Sequence, residues 1–170
     1  MELINKMIRA AKFDVALYEE VEKDPGATTQ AFLVVLIVAI CGGIGAIGFL
    51  GAKGILMGIV GGIVGWVIWS ALIFIVGVKI FKHTSDMGEL LRCLGFAYSP
   101  GALNILRFIP VVGFIVPYIT SIWLLVTFVI AVRQALDVET GRAILVSIIG
   151  FAFYVVISFL IGSIFGPISI

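Results

Sequence analysis

CLGFAYSPGALNILRFI, residues 93–109, is the stretch on which the fold turns. Its 17 residues are mostly apolar, yet they hold Tyr98, Ser99, Pro100, Gly101 and Asn104, with Arg92 just before them and Arg107 near their end. Pro100 has no N–H to donate, and its ring pushes Ser99 away from the α conformation, so a helix through this region is predicted to kink or break near Ser99 to Gly101. Inside a bilayer, such a break persists only where neighbouring helices or Ser and Thr side chains take up the freed backbone groups. The segment is therefore either a short, broken, protein-enclosed span or a re-entrant loop.

The chain on either side decides what surrounds it. A bilayer core of roughly 30 Å is crossed by about 20 helical residues. Residues 31–50 are all apolar or Gly, residues 54–78 carry Ser70 as their one polar side chain, and residues 110–132 and 143–168 carry only scattered Thr, Ser and Tyr. These are four long spans. With 170 residues, 62% hydrophobic and 12% charged, and a mean hydropathy of +1.26, the chain has too much apolar surface for a soluble core of its size. The reading is an all-α polytopic integral membrane bundle of five transmembrane helices, the third short and broken at Pro100. The division is an amphipathic helix over 1–24 and a transmembrane domain over 25–170.

Charge placement supports the fifth crossing. Short cytoplasmic loops are enriched in Lys and Arg. Five spans with the N-terminus inside put Lys6, Arg9, Lys12, Lys23, Lys79, Lys82, Arg92, Arg133 and Arg142 on the cytoplasmic side and leave only Lys53 and Arg107 outside, with the C-terminus also outside. A re-entrant third segment would move Arg133 and Arg142 out and Arg107 in, a poorer segregation. The net charge of +1 suggests no nucleic-acid partner.

Residues 1–24 do not form a span, but Leu3, Ile4, Met7, Ile8, Ala11, Val15 and Tyr18 recur at helical spacing. An interfacial helix is predicted, with the basic half, Lys6, Arg9 and Lys12, nearest anionic headgroups of membrane lipids. Asp24-Pro25-Gly26 ends it and turns the chain inward. A second short helix is expected to start at His83-Thr84-Ser85-Asp86, where hydroxyl and carboxylate groups can cap free amides.

Gly54, Gly58, Gly61, Gly62 and Gly65 form one stripe along the second span, where backbones can approach closely, and Gly42, Gly45 and Gly48 offer a similar surface on the first. The stripe serves either packing of spans one and two or the face of a homo-oligomer. Cys41 and Cys93 have no CxxC partner, and His83 lies in a charged turn, so no metal, cofactor or catalytic residue is expected. The glycine run sits inside a hydrophobic helix and not between a strand and a helix, which excludes a nucleotide-binding loop. All ten Asp and Glu residues fall outside the five segments. Proton relays and coupling-ion sites place an ionisable group within the membrane, so their chemistry is disfavoured here. Tyr98, Ser99, Pro100, Asn104 and Arg107 remain as the candidate intramembrane polar site. Trp66, Trp69 and Trp123 lie within spans and read as packing residues.

LGFAYSP at Leu94 to Pro100, followed by RFIPVVGFIVPYITSIW at Arg107 to Trp123, resembles the Yip1 family of multi-span membrane proteins. The resemblance extends from about Asp24 onward and implies a cytosolic N-terminus, five clustered spans and a very short far end. Eukaryotic members carry a DLYGP-type motif and a long cytosolic arm before the first span. This chain has EKDPGA at Glu22 to Ala27 and a 24-residue helix, which puts Rab GTPase binding in doubt. The shorter form looks more like the prokaryotic Yip1-domain proteins, implying a prokaryotic cell membrane. Two functions follow as expectations: a non-enzymatic Yip1-type protein that organises membrane or partner proteins, or a homo-oligomeric channel or small transporter built on the glycine stripe and the broken third span.

Overall fold

The computed structural model describes residues 2–51 and 53–165, with side chains described for all of these except 49, 50 and 157–165. Every regular element among them is helical: α1 (Glu2–Ala11), α2 (Val15–Lys23), α3 (Ala27–Gly45), α4 (Ile47–Leu50), α5 (Lys53–Phe74) running on as a π-helical segment (Ile75–Ile80), α6 (Met87–Ala97), a 3₁₀ segment (Ser99–Phe108), α7 (Val112–Ala135) and α8 (Thr140–Phe165). Three stretches, Ala27–Gly45, Lys53–Ile80 and Val112–Ala135, are long and apolar enough to cross a membrane.

Close approaches between helices fix their directions. Gly43 and Gly58 face one another, and a Cβ on Gly62 would touch Ala39, so α3 and α5 are antiparallel. Gly95 lies against Ala31, Gly101 against Val38 and Gly45 against Asn104, so α6 and the 3₁₀ segment run parallel to α3 and rise from its first turns to its last residue. Thr127 meets Ala97 while Thr120 meets Asn104, which sets α7 antiparallel to that pair. Ile73 packs on Gly150, and Trp69 lies near Tyr154, so α8 returns antiparallel to α5. The five segments therefore alternate in direction. Two ends result: a near end with α2, the start of α6 and the end of α7, and a far end with α4, Lys53 and Val111.

Two boundaries differ from the sequence reading. The first apolar run is not one helix: α3 stops at Gly45, and Ala46 separates it from the four-residue α4. Glycines at 42, 43, 45 and 48 weaken the helix there. A Cβ on Gly45 would also overlap the Asn104 carbonyl, so the close packing itself requires glycine.

Residues 1–24 likewise form two helices and not one. Phe13 adopts φ of +64°, and Asp14 caps α2 by accepting a 3.0 Å hydrogen bond from the Ala16 amide. The two helices fold back on each other, joined by ion pairs from Arg9 to Asp14 and Glu20 and from Lys6 to Glu20. Their buried face is Met7, Ala10, Leu17, Tyr18 and Val21, which join the same core as Val34, Ile73, Leu94 and Val132. Ile4, at 62% exposure, and Ile8 point outward instead of joining that face. Periodicity could not anticipate a left-handed residue in the middle of the helix.

The predicted second cap is present. Asp86 accepts from the Glu89 amide and Glu89 accepts from the Asp86 amide, both at 2.8 Å, a reciprocal capping box that starts α6.

The glycine stripe divides between two faces. Gly54, Gly58 and Gly62 lie against α3, whereas a Cβ on Gly61 or Gly65 would meet nothing within 4 Å. A Cβ on Gly43 would fall 2.6 Å from the Ile55 Cα, a backbone atom that cannot step aside. Gly43→Leu should therefore destabilise the bundle by about 1–3 kcal/mol or more, the usual cost of overpacking. Gly61→Leu and Gly65→Leu should leave the thermal midpoint of the detergent-solubilised monomer almost unchanged, and thermal denaturation of the three variants checks the contrast.

Candidate functional site

The break at Pro100 is a closed hydrogen-bond account. In an α-helix the amide of residue 100 would bond to the Phe96 carbonyl, and proline cannot supply it. The Ser99 hydroxyl donates to that carbonyl at 2.6 Å. The Gly101 amide turns to the Tyr98 carbonyl at 2.8 Å, a 3₁₀ bond, and so releases the Ala97 carbonyl. The Thr127 hydroxyl on α7 lies 2.9 Å from the Ala97 carbonyl and equally close to the Leu124 carbonyl of its own helix, so its one proton is shared between them. Tyr98 seals the region with its ring edge-on to Phe128, 4.9 Å between centroids.

A 3₁₀ helix has three residues per turn, so Gly101, Asn104 and Arg107 stack in one line. Gly101 at the base of the line faces Val38 of α3 and Leu124 of α7. The Thr120 hydroxyl, 2.8 Å from the Val116 carbonyl of its own helix, also lies 3.3 Å from Asn104 Oδ1. Asn104 and Arg107 both line a cavity of about 510 Å³ between α3, α5 and α7, shared with Thr120 and Ser121. A second cavity of about 660 Å³ lies on the other side of Arg107, toward Gly48 and Tyr118. Among the described residues Arg107 makes no ion pair, and no Asp or Glu lies on α4, the 3₁₀ segment or the first half of α7. The backbone beyond it is tightly held: Val111 has φ of +69°, and the Val112 amide bonds back to the Pro110 carbonyl at 2.8 Å, a γ-turn.

The near end is built differently. Arg92, only 7% exposed, donates through Nε (3.1 Å) and a terminal nitrogen to the Glu22 carbonyl at the end of α2, as a cation does at a helix C-terminus. Trp123, halfway along α7, donates to the Ala11 carbonyl at 2.7 Å and lies beside Phe13. Trp66 donates to the Leu91 carbonyl at 3.0 Å, tying α5 to α6. The N-terminal helix pair is thereby bolted to the bundle, its turn reaching the middle of α7.

The five candidate residues thus split into two roles. Ser99, Pro100 and Tyr98 are buried or packed and maintain the break, while Asn104 and Arg107 reach the groove. Of the three basic residues at the N-terminus, Lys6 is 7% exposed and held by Glu2, Glu20 and Gln30, and Arg9 is held by Asp14 and Glu20. Lys12 stands exposed at the turn. Thr120, Thr127, Trp123 and Arg92 escaped the sequence reading as functional neighbours. Hydroxyls at 120 and 127 facing a proline on the preceding segment were the signal available, but only the fold shows which carbonyls they reach.

A family model for the Yip1 domain matches residues 15–160. The chain belongs to the Yip1 domain family. The match contains both stretches that carried the resemblance, and it begins at Val15, the first residue of α2. No curated protein and no solved structure matches the chain. The chain is a membrane protein by its family and by its apolar helices.

The charged groups of this Yip1 domain respond to pH at its near end. Burial, followed by the charges of Asp137 and Glu89, raises the Glu22 carboxyl from 4.5 to about 7, with Glu19 adding to the effect and Lys23 opposing it. A carboxyl with a raised folded-state pKa is more readily protonated in the folded than in the unfolded chain. Its stabilising effect is full below the unfolded value and is lost as pH rises through about 7. Arg9 holds Asp14 and Glu20 below their usual range, so their contribution is present at neutral pH and lost only in acid. The thermal midpoint should therefore be lower at pH 8 than at pH 5.5, and Glu22→Gln should remove most of that difference. Thermal denaturation of both proteins in one detergent checks it.

Proposed function

We propose that the chain is a non-enzymatic, five-span Yip1-type membrane protein that organises bilayer lipid or partner proteins around a rigid bundle. Its N-terminus lies on the cytoplasmic side, its C-terminus lies on the opposite side, and the host is a prokaryotic cell membrane. The observation that carries the reading is the alternation of the five segments together with the segregation of charge. The 3₁₀ geometry lets the third segment match the depth of α3, because ten residues at about 2.0 Å rise cover about 20 Å. Lys23, Lys79, Lys82, Arg92, Arg133 and Arg142 lie on near-end segments, in keeping with the rule for short cytoplasmic loops, while Lys12 lies at the turn beside mid-α7. The outward faces of α5, α7 and α8 carry Leu56, Val60, Phe114, Ile122, Leu125, Ile148 and Phe151, all exposed, which suits contact with acyl chains. α1 adds Ile4 and Ile8 beside them, so the docked helix pair also offers lipid an apolar side.

A homo-oligomeric channel or small transporter is the second reading, favoured by the open Gly61 and Gly65 face on α5, where another helix could approach closely. Two measurements separate the readings. Impermeant thiol labelling of single cysteines placed at the two termini, in a Cys41→Ser, Cys93→Ala background, should mark opposite faces of the membrane. Liposomes holding the purified chain should release ions and small solutes no faster than empty vesicles. Rapid release that Gly61→Leu abolishes together with oligomer formation would replace the first reading with the second.

A further inference from the structure

We propose that the groove between α3, α5, the 3₁₀ segment and α7 is a binding site for the phosphate of an anionic phospholipid, with Arg107 and Asn104 as its recognition pair. The inference deepens the function proposed above and rests on its membrane arrangement. Lys53 and Arg107 are the cationic side chains of the far end, and the Asp and Glu residues of the chain lie on other elements. Arg107 lines both far-end cavities, and its side chain forms no hydrogen bond with any described residue, although its backbone neighbours are close-packed. A guanidinium in a weakly polar site needs an anion, and its planar fork suits phosphate.

Geometry supplies the rest of the site. The three-residue repeat holds Asn104 one turn below Arg107 on the same line, and its side-chain amide, which carries two N–H donors, lines the same groove. Ser121 stands on the rim with its one proton given to the Pro117 carbonyl at 2.7 Å. The donors left for an anionic oxygen are the Arg107 guanidinium and the Asn104 amide. The remaining wall is apolar or small, with Met57, Leu124 and Gly58, so a chain attached to the phosphate meets hydrocarbon. Free phosphate would use only the donors, whereas a phospholipid uses donors and wall together. The site is also prearranged. Gly45 and Gly113 admit the Asn104 and Arg107 backbones at separations that a Cβ would forbid, so the 3₁₀ segment is gripped from both sides.

The test uses the full chain, purified in a neutral detergent and exchanged in turn with phosphatidylglycerol, phosphatidylcholine and inorganic phosphate. Native mass measurement should show retained phosphatidylglycerol well above phosphatidylcholine. Arg107→Gln should cut that preference about tenfold, the order expected for hydrogen bonds to a charged group. Asn104→Ala should cut it by less, and Arg107→Lys should restore part of it. Arg142→Gln, at the near end and away from the groove, is the control for general loss of positive charge and should change nothing. Thermal midpoints verify that each variant is folded, and Asn104→Ala tests the site with Arg107 intact should Arg107→Gln fail to fold. Equal phosphatidylglycerol retention by wild type and either groove variant would overturn the proposal. So would equal protection by inorganic phosphate, which would reassign the groove to a free anion. Failure of the labelling measurement removes the membrane arrangement itself, rapid solute release replaces only the organising role, and lipid retention is scored independently of both.

Discussion

Backbone groups released at Pro100 have to be paired somewhere, and the way they are paired organises the rest of the bundle. Ser99 takes the Phe96 carbonyl, Thr127 shares its proton with the Ala97 carbonyl, and the Gly101 amide shortens its reach to Tyr98. In an apolar surrounding each unpaired group would cost several kcal/mol, so a proline break in mid-bundle needs these partners. Because Thr127 is one of them, α7 must lie directly against the break. Because the chain leaves the break as a 3₁₀ helix, it is thin and gains height quickly, and it slips between α3 and α7 where glycines at 45 and 113 make room.

Hydropathy and charge carried much of this. Of the five apolar segments, the second and fourth coincide with long helices to within a few residues, the last does so as far as Phe165, with 166–168 outside the described residues, and the first is divided at Ala46. The Asp86 and Glu89 cap is readable because a capping box is a local code. Pro100 announced its break for the same reason: the missing amide is a property of one residue. The N-terminal segment was harder. Leu3, Ile4, Met7 and Ile8 imply one apolar face, yet Met7 turns inward while Ile4 and Ile8 turn out, because Tyr18 and Leu17 of α2 and the Arg92 clamp determine which side is covered. Tertiary hydrogen bonds from Trp123 to Ala11 and from Arg92 to Glu22 join residues 112 and 70 positions apart, beyond the reach of any periodicity. The glycines show the same limit. A stripe at i, i+4, i+7 and i+8 states that a face is small, but α3 covers only its Gly54, Gly58 and Gly62 part.

Charge is handled in two contrasting ways in one small chain. At the near end, Lys6 and Arg9 meet carboxylates within 3.3 Å, and the resulting network holds a helix pair together. Such partly exposed pairs contribute modestly each, and their value lies in fixing the angle between α1 and α2. At the far end Arg107 has donors about it and no acid. The same residue type is thus structural in one place and unsatisfied in the other, and the difference comes from which elements the fold brings alongside.

The threefold winding of the Ser99–Phe108 segment also restricts how its length can drift. Inserting or deleting one residue between Gly101 and Asn104 would turn everything beyond it by about 120° and swing Asn104 and Arg107 out of line with Gly101. Adding three would restore the line but lift Arg107 by about 6 Å, past the end of α3 and out of the grip of Gly45. Side chains along the segment can be exchanged one at a time, but its residue count is locked by two geometric conditions at once. The His83 to Ser85 connection, with no such winding to keep, is where the chain is free to lengthen.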